Sequence, residues 1–165
     1  MSTKHTLIDS PMGELLLVAG DDGLTALHYA DGRHAPEELG ERGTTLVLDE
    51  ARRQLDEYFA RTRTEFDLPL APHGEPFQLK VWELLRQIPY GATRSYGELA
   101  RMLGDVNYAQ AVGAANGRNP ISVIVPCHRV IGADGTLTGY AGGLERKRYL
   151  LALEEPAPAD AGRLF

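Results

Sequence analysis

The sequence has a single cysteine among its 165 residues, which excludes two common structural uses of thiols. One cysteine cannot form an intrachain disulfide, and it cannot supply a cysteine-rich zinc site. The histidines are His5, His28, His34, His73 and His128. Their positions show no metal-ligand spacing, so we expect no metal. Cys127 is therefore either a small buried hydrophobic residue or a reactive group.

Long apolar runs are also missing. No stretch approaches the roughly 18 apolar residues that cross a bilayer, and the start of the chain, MSTKHTLIDS, lacks the apolar segment of a secretion signal. The composition, with 43% hydrophobic and 24% charged residues, is that of a globular protein. We therefore expect a soluble, cytoplasmic protein that does not bind membranes.

The charge is unevenly distributed along the chain. The formal net charge is -6, which by itself argues against nucleic acid as a partner. Residues 78–150, however, contain nine Lys and Arg residues against five Asp and Glu residues, a net charge of +4, and the remainder carries -10. A basic part joined to an acidic part is typical of a protein with one face that meets phosphates.

The N-terminal part predicts a small β-sheet with one helix. The segments HTLIDS and ELLLVAG flank the turn residues 11–13 and predict a hairpin, and GLTALHY predicts a third strand. Apolar residues at helical spacing in LDEARRQLDEYFA predict an amphipathic helix. The segment 71–76 contains two prolines and a glycine, which is the composition of a linker.

The second part predicts several short helices. Pro76 starts the first of them, and Ser95 with Glu98 forms a capping box that opens a helix ending at Gly104. The segment YAQAVGAANG follows. Two short helices joined by a tight glycine-containing turn predict a helix-turn-helix that enters a DNA groove. A last helix, LERKRYLLALE, precedes a tail rich in proline and alanine.

These elements predict an α+β fold in two parts. We assign residues 1–70 to a domain with a small β-sheet and a helix, and 71–76 to a linker. Residues 77–155 form a helical domain that binds DNA and carries the active site, and 156–165 form a loosely held tail. The boundary is placed at the linker because few contacts usually cross such a segment.

The segment PCHRV, residues 126–130, makes Cys127 a candidate nucleophile. A thiol reacts as the thiolate, so it needs a group that lowers its pKa or takes its proton, and His128 and Arg129 follow it directly. Neighbouring residues of an extended segment point to opposite sides, so His128 can reach the thiol only across a turn or through a water. Glu154 in the last helix is a candidate to orient the imidazole. Cysteine hydrolases also use such a pair, so it does not identify the reaction.

The other candidate residues also have ordinary structural explanations. Tyr96 fits a packing tyrosine, Asn119 before a proline fits a turn, and Glu154 fits the solvent-facing end of a helix. The run ERKR, residues 145–148, fits a solvated helix face or a phosphate contact. Only the joint spacing of these residues favours a functional role.

That joint spacing resembles a known family. The segments SYGELA at 95–100, AVG at 111–113, NP at 119–120 and PCHRV are similar to those of the O6-alkylguanine-DNA alkyltransferases, also called methylated-DNA-protein-cysteine methyltransferases. The resemblance extends closely over about residues 77–154 and more loosely over the N-terminal part. It implies a ribonuclease H-like N-terminal domain and a winged helix-turn-helix C-terminal domain.

The resemblance implies an enzyme that works once per molecule. Such proteins flip the damaged nucleotide out of double-stranded DNA and transfer the alkyl group from O6-alkylguanine irreversibly to their own cysteine. O4-alkylthymine is a further candidate substrate. The resemblance implies no cofactor, and we expect a monomer in solution that clusters on DNA.

The resemblance also implies a role for each catalytic residue. Cys127 accepts the alkyl group, His128 removes its proton through a water, and Glu154 orients the imidazole. Asn119 connects the helix-turn-helix to the cysteine segment, and Tyr96 donates to the departing guanine. Backbone groups of Cys127 and Val130 accept from the guanine amine, and Tyr140 forms a wall of the pocket. The implied substrate-binding residues also include Ala141 and Gly142.

The residues that the resemblance implies for DNA binding are Gln110, Ala111, Gly113, Arg118 and Arg129. Gln110 departs from the family, which usually has an arginine there that fills the space left by the flipped base. Glutamine lacks the charge and the planar guanidinium, so we expect weaker flipping or weaker DNA binding. Ala141 stands where many relatives have a serine, and a contact through its backbone N–H survives that change.

Two other classes of protein fit the same features less well. A winged-helix regulator with a redox-active cysteine predicts sequence-specific duplex binding and reversible oxidation of Cys127. A cysteine hydrolase predicts many turnovers. A relative that binds alkylated DNA without transfer is disfavoured, because such proteins replace the acceptor cysteine.

Overall fold

The computed structural model describes residues 3–32 and 39–155, and its N-terminal part is a four-stranded sheet covered by one helix. The strands are β1 (Lys4–Ile8), β2 (Leu15–Gly20), β3 (Gly23–Tyr29) and β4 (Glu41–Arg42). They lie in the order β3-β2-β1-β4, antiparallel except for the parallel pair of β1 with β4. The three predicted strands are present. Strand β4 was missed because two residues are too few to show an alternating pattern.

Helix α1 (Leu46–Phe59) packs against this sheet. It begins after Thr45, whose hydroxyl accepts a hydrogen bond from the backbone N–H of Leu48. The helix buries Leu48, Ala51, Gln54, Leu55 and Tyr58. The predicted amphipathic helix is therefore confirmed, and its apolar face shares one core with the sheet.

Helix α2 (Pro76–Arg86) begins at the proline that predicted it. It buries one face, and the indole N–H of Trp82 donates to the carbonyl of Ala115 at 2.8 Å. Ala115 lies in helix α4 (Ala109–Gly117), so this bond fixes α2 against the helix that the sequence places in a DNA groove.

The predicted helix-turn-helix consists of α3 (Tyr96–Met102) and α4. The Ser95 hydroxyl accepts from the backbone N–H of Glu98, and the Glu98 carboxylate accepts from the backbone N–H of Ser95. This capping box sets the start of α3. A single 3-10 turn, Val106–Tyr108, leads into α4.

The cysteine segment is a series of turns. The β-branched run 121–125 is outside the named strands, and Val123 has a φ of 70°, which a β-branched residue rarely adopts. Residues Cys127–Arg129 form one 3-10 turn. Strand β6 (Val130–Ile131) follows and pairs parallel with β5 (Arg94–Ser95).

The two parts of the chain are joined by backbone hydrogen bonds and by helix α5 (Leu144–Glu154). The N–H of Leu27 in β3 donates to the carbonyl of Pro120 at 2.9 Å, and the N–H of Ser122 donates to the carbonyl of Leu27 at 3.1 Å. The segment before the 3-10 turn Cys127–Arg129 is thus attached to the N-terminal sheet. The predicted α+β fold, with a small sheet in the N-terminal part and mainly short helices in the C-terminal part, is confirmed.

The division of the chain at 71–76 remains a prediction. The N–H of Ala71 donates to the carbonyl of Leu24 at 2.8 Å, so the first residue of that segment still pairs with the sheet. The predicted tail, 156–165, and His34 lie outside the described residues. Within 3–32 and 39–155, no helix is long and apolar enough to cross a membrane.

Candidate active site

Cys127 is the first residue of the 3-10 turn and is 3% exposed. Burial raises the pKa of its thiol to about 11, although a hydrogen bond with Asn119 and the nearby ammonium group of Lys147 act in the opposite direction. The thiol is therefore protonated at neutral pH, because the neighbours that lower its pKa do not offset the effect of burial. The remaining route to a thiolate is removal of the proton by a base.

The candidate base, His128, is paired with the end of α5. Its Nε2 lies 2.7 Å from Glu154 Oε2, and both side chains are buried. Burial alone raises the pKa of Glu154, but hydrogen bonds from His128 and Arg129 hold it at about 2. Because an ionised carboxylate only accepts hydrogen bonds, His128 donates from Nε2. Glu154 is thus a buried partner of His128 and does not face solvent.

The other ring nitrogen of His128 is the basic one. Burial lowers the pKa of His128 below its usual value, although Glu154 acts in the opposite direction, so the ring is neutral at neutral pH. Its Nδ1 is buried and has no hydrogen-bond partner within the described part of the chain. A neutral imidazole with a free Nδ1 can take a proton from the neighbouring thiol.

Arg129 occupies a different place from the one expected. Its Nε lies 2.7 Å from Glu154 Oε1 and its Nη2 lies 2.9 Å from Oε2. Its Nη1 donates to the carbonyl of Ile88 at 2.6 Å. The residue is 6% exposed, so its guanidinium faces inward and is not available to DNA. Its role as a DNA contact is corrected to one of holding Glu154.

Two asparagines hold the cysteine segment, Asn116 in the last turn of α4 and Asn119 just after the helix. The Asn119 amide donates to the carbonyl of Val125 at 2.8 Å, and its oxygen accepts from the N–H of Ile121 at 3.0 Å. Asn116 donates to the carbonyl of Cys127 at 3.4 Å. The sequence predicted the connecting position of Asn119, whereas Asn116 was missed because a buried polar residue in a small-residue helix has no distinctive pattern.

A cleft of about 620 Å³ lies between the helix-turn-helix and the loop before α5. Among the residues that line it are Tyr96, Gly113, Tyr140, Ala141 and Gly142. This volume is in the usual range for a small-molecule site and is ample for a purine. The structure thus brings together five of the residues predicted to meet the base or the DNA.

Cys127 does not line this cleft, and neither does Val130, which is fully buried. Tyr140 connects the two regions, because it lines the cleft and also interacts electrostatically with the thiol of Cys127. The carbonyl of Cys127 already accepts from the N–H of Val130 and from Asn116, which limits its capacity to accept from a base.

Hydrogen bonds between side chains hold the cleft walls. The Tyr96 and Thr138 hydroxyls lie 2.5 Å apart, and the Tyr140 and Tyr29 hydroxyls lie 2.7 Å apart. Tyr29 belongs to β3, and a Cβ at Gly142 would lie 2.4 Å from its ring. Glycine at 142 therefore permits the N-terminal sheet to approach the wall closely.

The run 145–148 is only partly a solvated face. Lys147 is fully buried, and its Nζ donates to the carbonyl of Thr138 at 2.9 Å. Arg146 pairs with Asp31 at 2.8 Å and stacks over the ring of Tyr29 at 4.5 Å. The sequence missed both roles, since charged residues in a helix more often face water.

The predicted DNA-binding residues on α4 lie at the surface. Gln110, Ala111 and Arg118 are exposed. Gly113 is half-buried, and a Cβ there would lie 3.8 Å from the Tyr96 ring. One side of α4 is thus open to solvent, and the other meets the cleft.

Comparisons with known proteins identify the family. The DNA-binding domain of 6-O-methylguanine DNA methyltransferase matches residues 76–156, and its ribonuclease-like domain matches residues 3–72. The methylated-DNA-protein-cysteine methyltransferase of Mycolicibacterium paratuberculosis is 50% identical over 92% of this chain and 92% of its own. The chain belongs to the O6-alkylguanine-DNA alkyltransferase family.

Further relatives agree with this assignment. The methylated-DNA-protein-cysteine methyltransferase of Methanosarcina acetivorans is 47% identical, over 91% of this chain and 97% of its own. In a crystal structure of Mycobacterium tuberculosis OGT in complex with DNA, the protein chain has 49% sequence identity to this chain. The match covers 92% of each chain and has a TM-score of 0.86. The family that the motifs predicted, the fold and the activity of DNA repair by alkyl transfer to cysteine are confirmed.

Proposed function

We propose that this alkyltransferase moves the alkyl group of O6-alkylguanine in double-stranded DNA to Sγ of Cys127 and retains it. One observation carries the proposal. The only cysteine of the chain is followed by a buried histidine that is paired with Glu154, and the thiol interacts electrostatically with Tyr140, which lines a cleft with room for a purine.

The first step is removal of the thiol proton. His128 takes it at Nδ1 through a water, and the resulting imidazolium is stabilised by the ionised Glu154. Lys147 interacts electrostatically with the sulfur and stabilises the thiolate. This division of roles explains why a thiol with a raised pKa can still react.

The second step is displacement at carbon. The thiolate attacks the alkyl carbon, the bond from that carbon to O6 breaks, and its electron pair remains on the guanine. Tyr96 donates a proton or hydrogen bond to the departing base, which requires its bond with Thr138 to be exchanged or reversed. The product is a thioether at Cys127. Because the carbon–sulfur bond of a thioether is stable, each molecule acts once.

The alkylated base must leave the duplex to reach Cys127, because O6 lies within the base stack. Flipping costs a few kcal/mol, and least for a poorly paired base. We propose that α4 enters the groove, with Gln110, Ala111 and Arg118 toward DNA. The flipped base is held by Tyr140, Ala141 and Gly142.

Several finer expectations remain part of this proposal. They are activity on O4-alkylthymine, a monomeric state in solution, clustering on DNA and a cytoplasmic location. The basic charge of residues 78–150 supports DNA as the partner.

Intact mass after incubation with excess duplex containing O6-methylguanine tests the proposal. We expect one added methyl group per chain, located on Cys127, and none in Cys127→Ser. An unchanged mass despite DNA binding would refute alkyl transfer and favour a regulator with a redox thiol. Repeated release of product would favour a hydrolase.

A further inference from the structure

The Tyr58 side chain joins the N-terminal domain to the catalytic pair. Tyr58 lies in α1, is fully buried, and donates from its hydroxyl to Glu154 Oε2 at 2.5 Å. Burial and the charge of Glu154 raise the pKa of Tyr58 well above its usual value. The hydroxyl therefore remains protonated at neutral pH and donates to the carboxylate.

Four hydrogen bonds from three side chains converge on the Glu154 carboxylate. Oε1 accepts from Arg129 Nε, and Oε2 accepts from Arg129 Nη2, His128 Nε2 and the Tyr58 hydroxyl. Each carboxylate oxygen offers about two acceptor positions, so Oε2 is crowded by three donors whereas Oε1 has one donor. Tyr58 bonds to the same oxygen as His128, so it acts on the atom that orients the imidazole.

The ring of Tyr58 is held from several sides. Its centroid lies 5.3 Å from that of Phe59, 5.3 Å from that of Phe66 and 6.2 Å from that of Tyr90. These contacts do not involve the hydroxyl. The packing therefore fixes where the hydroxyl points, and Tyr58→Phe removes the hydrogen bond while keeping the ring contacts.

We infer that Tyr58 is a positioning residue for alkyl transfer, whose hydroxyl holds Glu154 Oε2 where it accepts from His128 Nε2. This inference rests on the proposed function. It gives the N-terminal domain a part in the chemistry of the C-terminal domain, since α1 supplies a hydrogen bond to the catalytic pair.

The pH dependence of the reaction distinguishes positioning from simple support. The charged and titratable groups around Glu154 are His128, Arg129, Tyr58 and Tyr90, and those around His128 are Glu154, Arg129 and Lys147. In Tyr58→Phe the carboxylate loses one donor and stabilises the His128 imidazolium more strongly. The base then becomes neutral only at higher pH, so the acid limb of the plot of rate against pH shifts to higher pH.

The test measures the rate of methyl transfer to Cys127 against pH in wild type, Tyr58→Phe and the matched control Tyr90→Phe. Tyr90 belongs to the same aromatic cluster, but its hydroxyl donates to the carbonyl of Leu153. For Tyr58→Phe we expect the acid limb to shift to higher pH. We also expect the plateau rate to fall about tenfold, the effect of one hydrogen bond to a charged group, because Oε2 no longer holds the imidazole in its reactive orientation and this loss outweighs the gain in basicity. Tyr90→Phe should keep the wild-type midpoint.

The outcomes separate the inference from the proposed function. A wild-type chain that gains no methyl group refutes the proposed function. If wild type is methylated but Tyr58→Phe matches Tyr90→Phe in rate and midpoint, the inference alone is overturned. A Tyr58→Phe protein that is less stable and slower with an unmoved midpoint also overturns it, because the residue then only supports the fold.

Discussion

Helix α4 and the cluster around Glu154 are both needed for the proposed reaction, but they are built in opposite ways. Gln110 and Arg118 belong to one short exposed segment, so their arrangement follows from the helix itself. The Glu154 cluster unites Tyr58 from α1, His128 and Arg129 from the catalytic turn, and the end of α5, all shielded from water. Changes at α4 should therefore alter DNA binding by small steps, whereas changes in the cluster should affect both stability and transfer.

The largest effect is expected for Glu154→Gln. The amide leaves the buried Arg129 without a counter-charge, and breaking a buried pair from one side costs about 3–5 kcal/mol. The variant should also transfer methyl groups roughly a hundredfold more slowly, since His128 loses the anion that stabilises its protonated form. Denaturant unfolding and intact mass measure the two effects.

The matched control for that change is Glu57→Gln. Glu57 pairs with Arg53 and Arg63 on a water-accessible face of α1, so its loss should weaken stability much less. Equal losses of stability in the two variants would mean that the cluster around Glu154 is not distinguished by its burial.

Lowering the pH into the mildly acidic range should reduce the stability of the protein by an intermediate amount. The pKa of His128 is lowered from its usual value of 6.5, so the unfolded chain binds the proton more readily than the folded one. The stabilisation of the folded state by a neutral His128 is therefore fully present above about pH 6.5. It is lost as the pH falls below that value. Glu154, lowered from 4.5 to about 2, adds a loss with the same sign at lower pH.

Thermal unfolding between pH 7 and about 5 measures the contribution of His128 before most carboxylates titrate. His128→Gln can still donate to Glu154 but takes up no proton, so its melting temperature should depend less on pH in this window. Parallel curves for the two proteins would contradict the lowered pKa of His128.

The smallest effect is expected for Gln110→Arg on the exposed face of α4. Arginine adds a charge and a planar group that can fill the place of a flipped base, so duplex binding should tighten several-fold and its salt dependence should steepen by about one phosphate contact. Repair of duplex should gain more than reaction with free O6-benzylguanine.

The control is Gln87→Arg, which adds the same charge at the exposed end of α2. Equal gains from the two substitutions would indicate general electrostatic attraction. Equal gains on duplex and free base would contradict the role of position 110 in flipping.

The predictions made from the sequence succeeded where the signal was local. The capping box at Ser95, the proline at the start of α2 and the apolar stripe of α1 each depend on residues within a few positions of one another. The family motif likewise lies in a nearly continuous part of the chain. Such features are set by backbone hydrogen bonds and helical periodicity, which a single sequence displays.

The predictions were incomplete where burial decided the role. Arg129 was expected at DNA and instead holds Glu154, and Lys147 was expected in a solvated face and is buried beside Cys127. Tyr58 and Asn116 were not recognised as parts of the site. Each of these roles depends on a partner far away in the sequence or on exclusion from water, and neither is visible in a local pattern.

The sequence by itself determined the longer strands and helices and the family, and it singled out Cys127 as the candidate nucleophile, because short-range hydrogen bonding and apolar spacing specify helices, strands and motifs. Only the tertiary structure decided the protonation states. Burial raises the pKa of Cys127 and lowers that of His128, while hydrogen bonds from His128 and Arg129 keep Glu154 ionised. The charge of a group depends on the solvent and partners around it in space, and these are fixed only when distant segments of the chain have packed together.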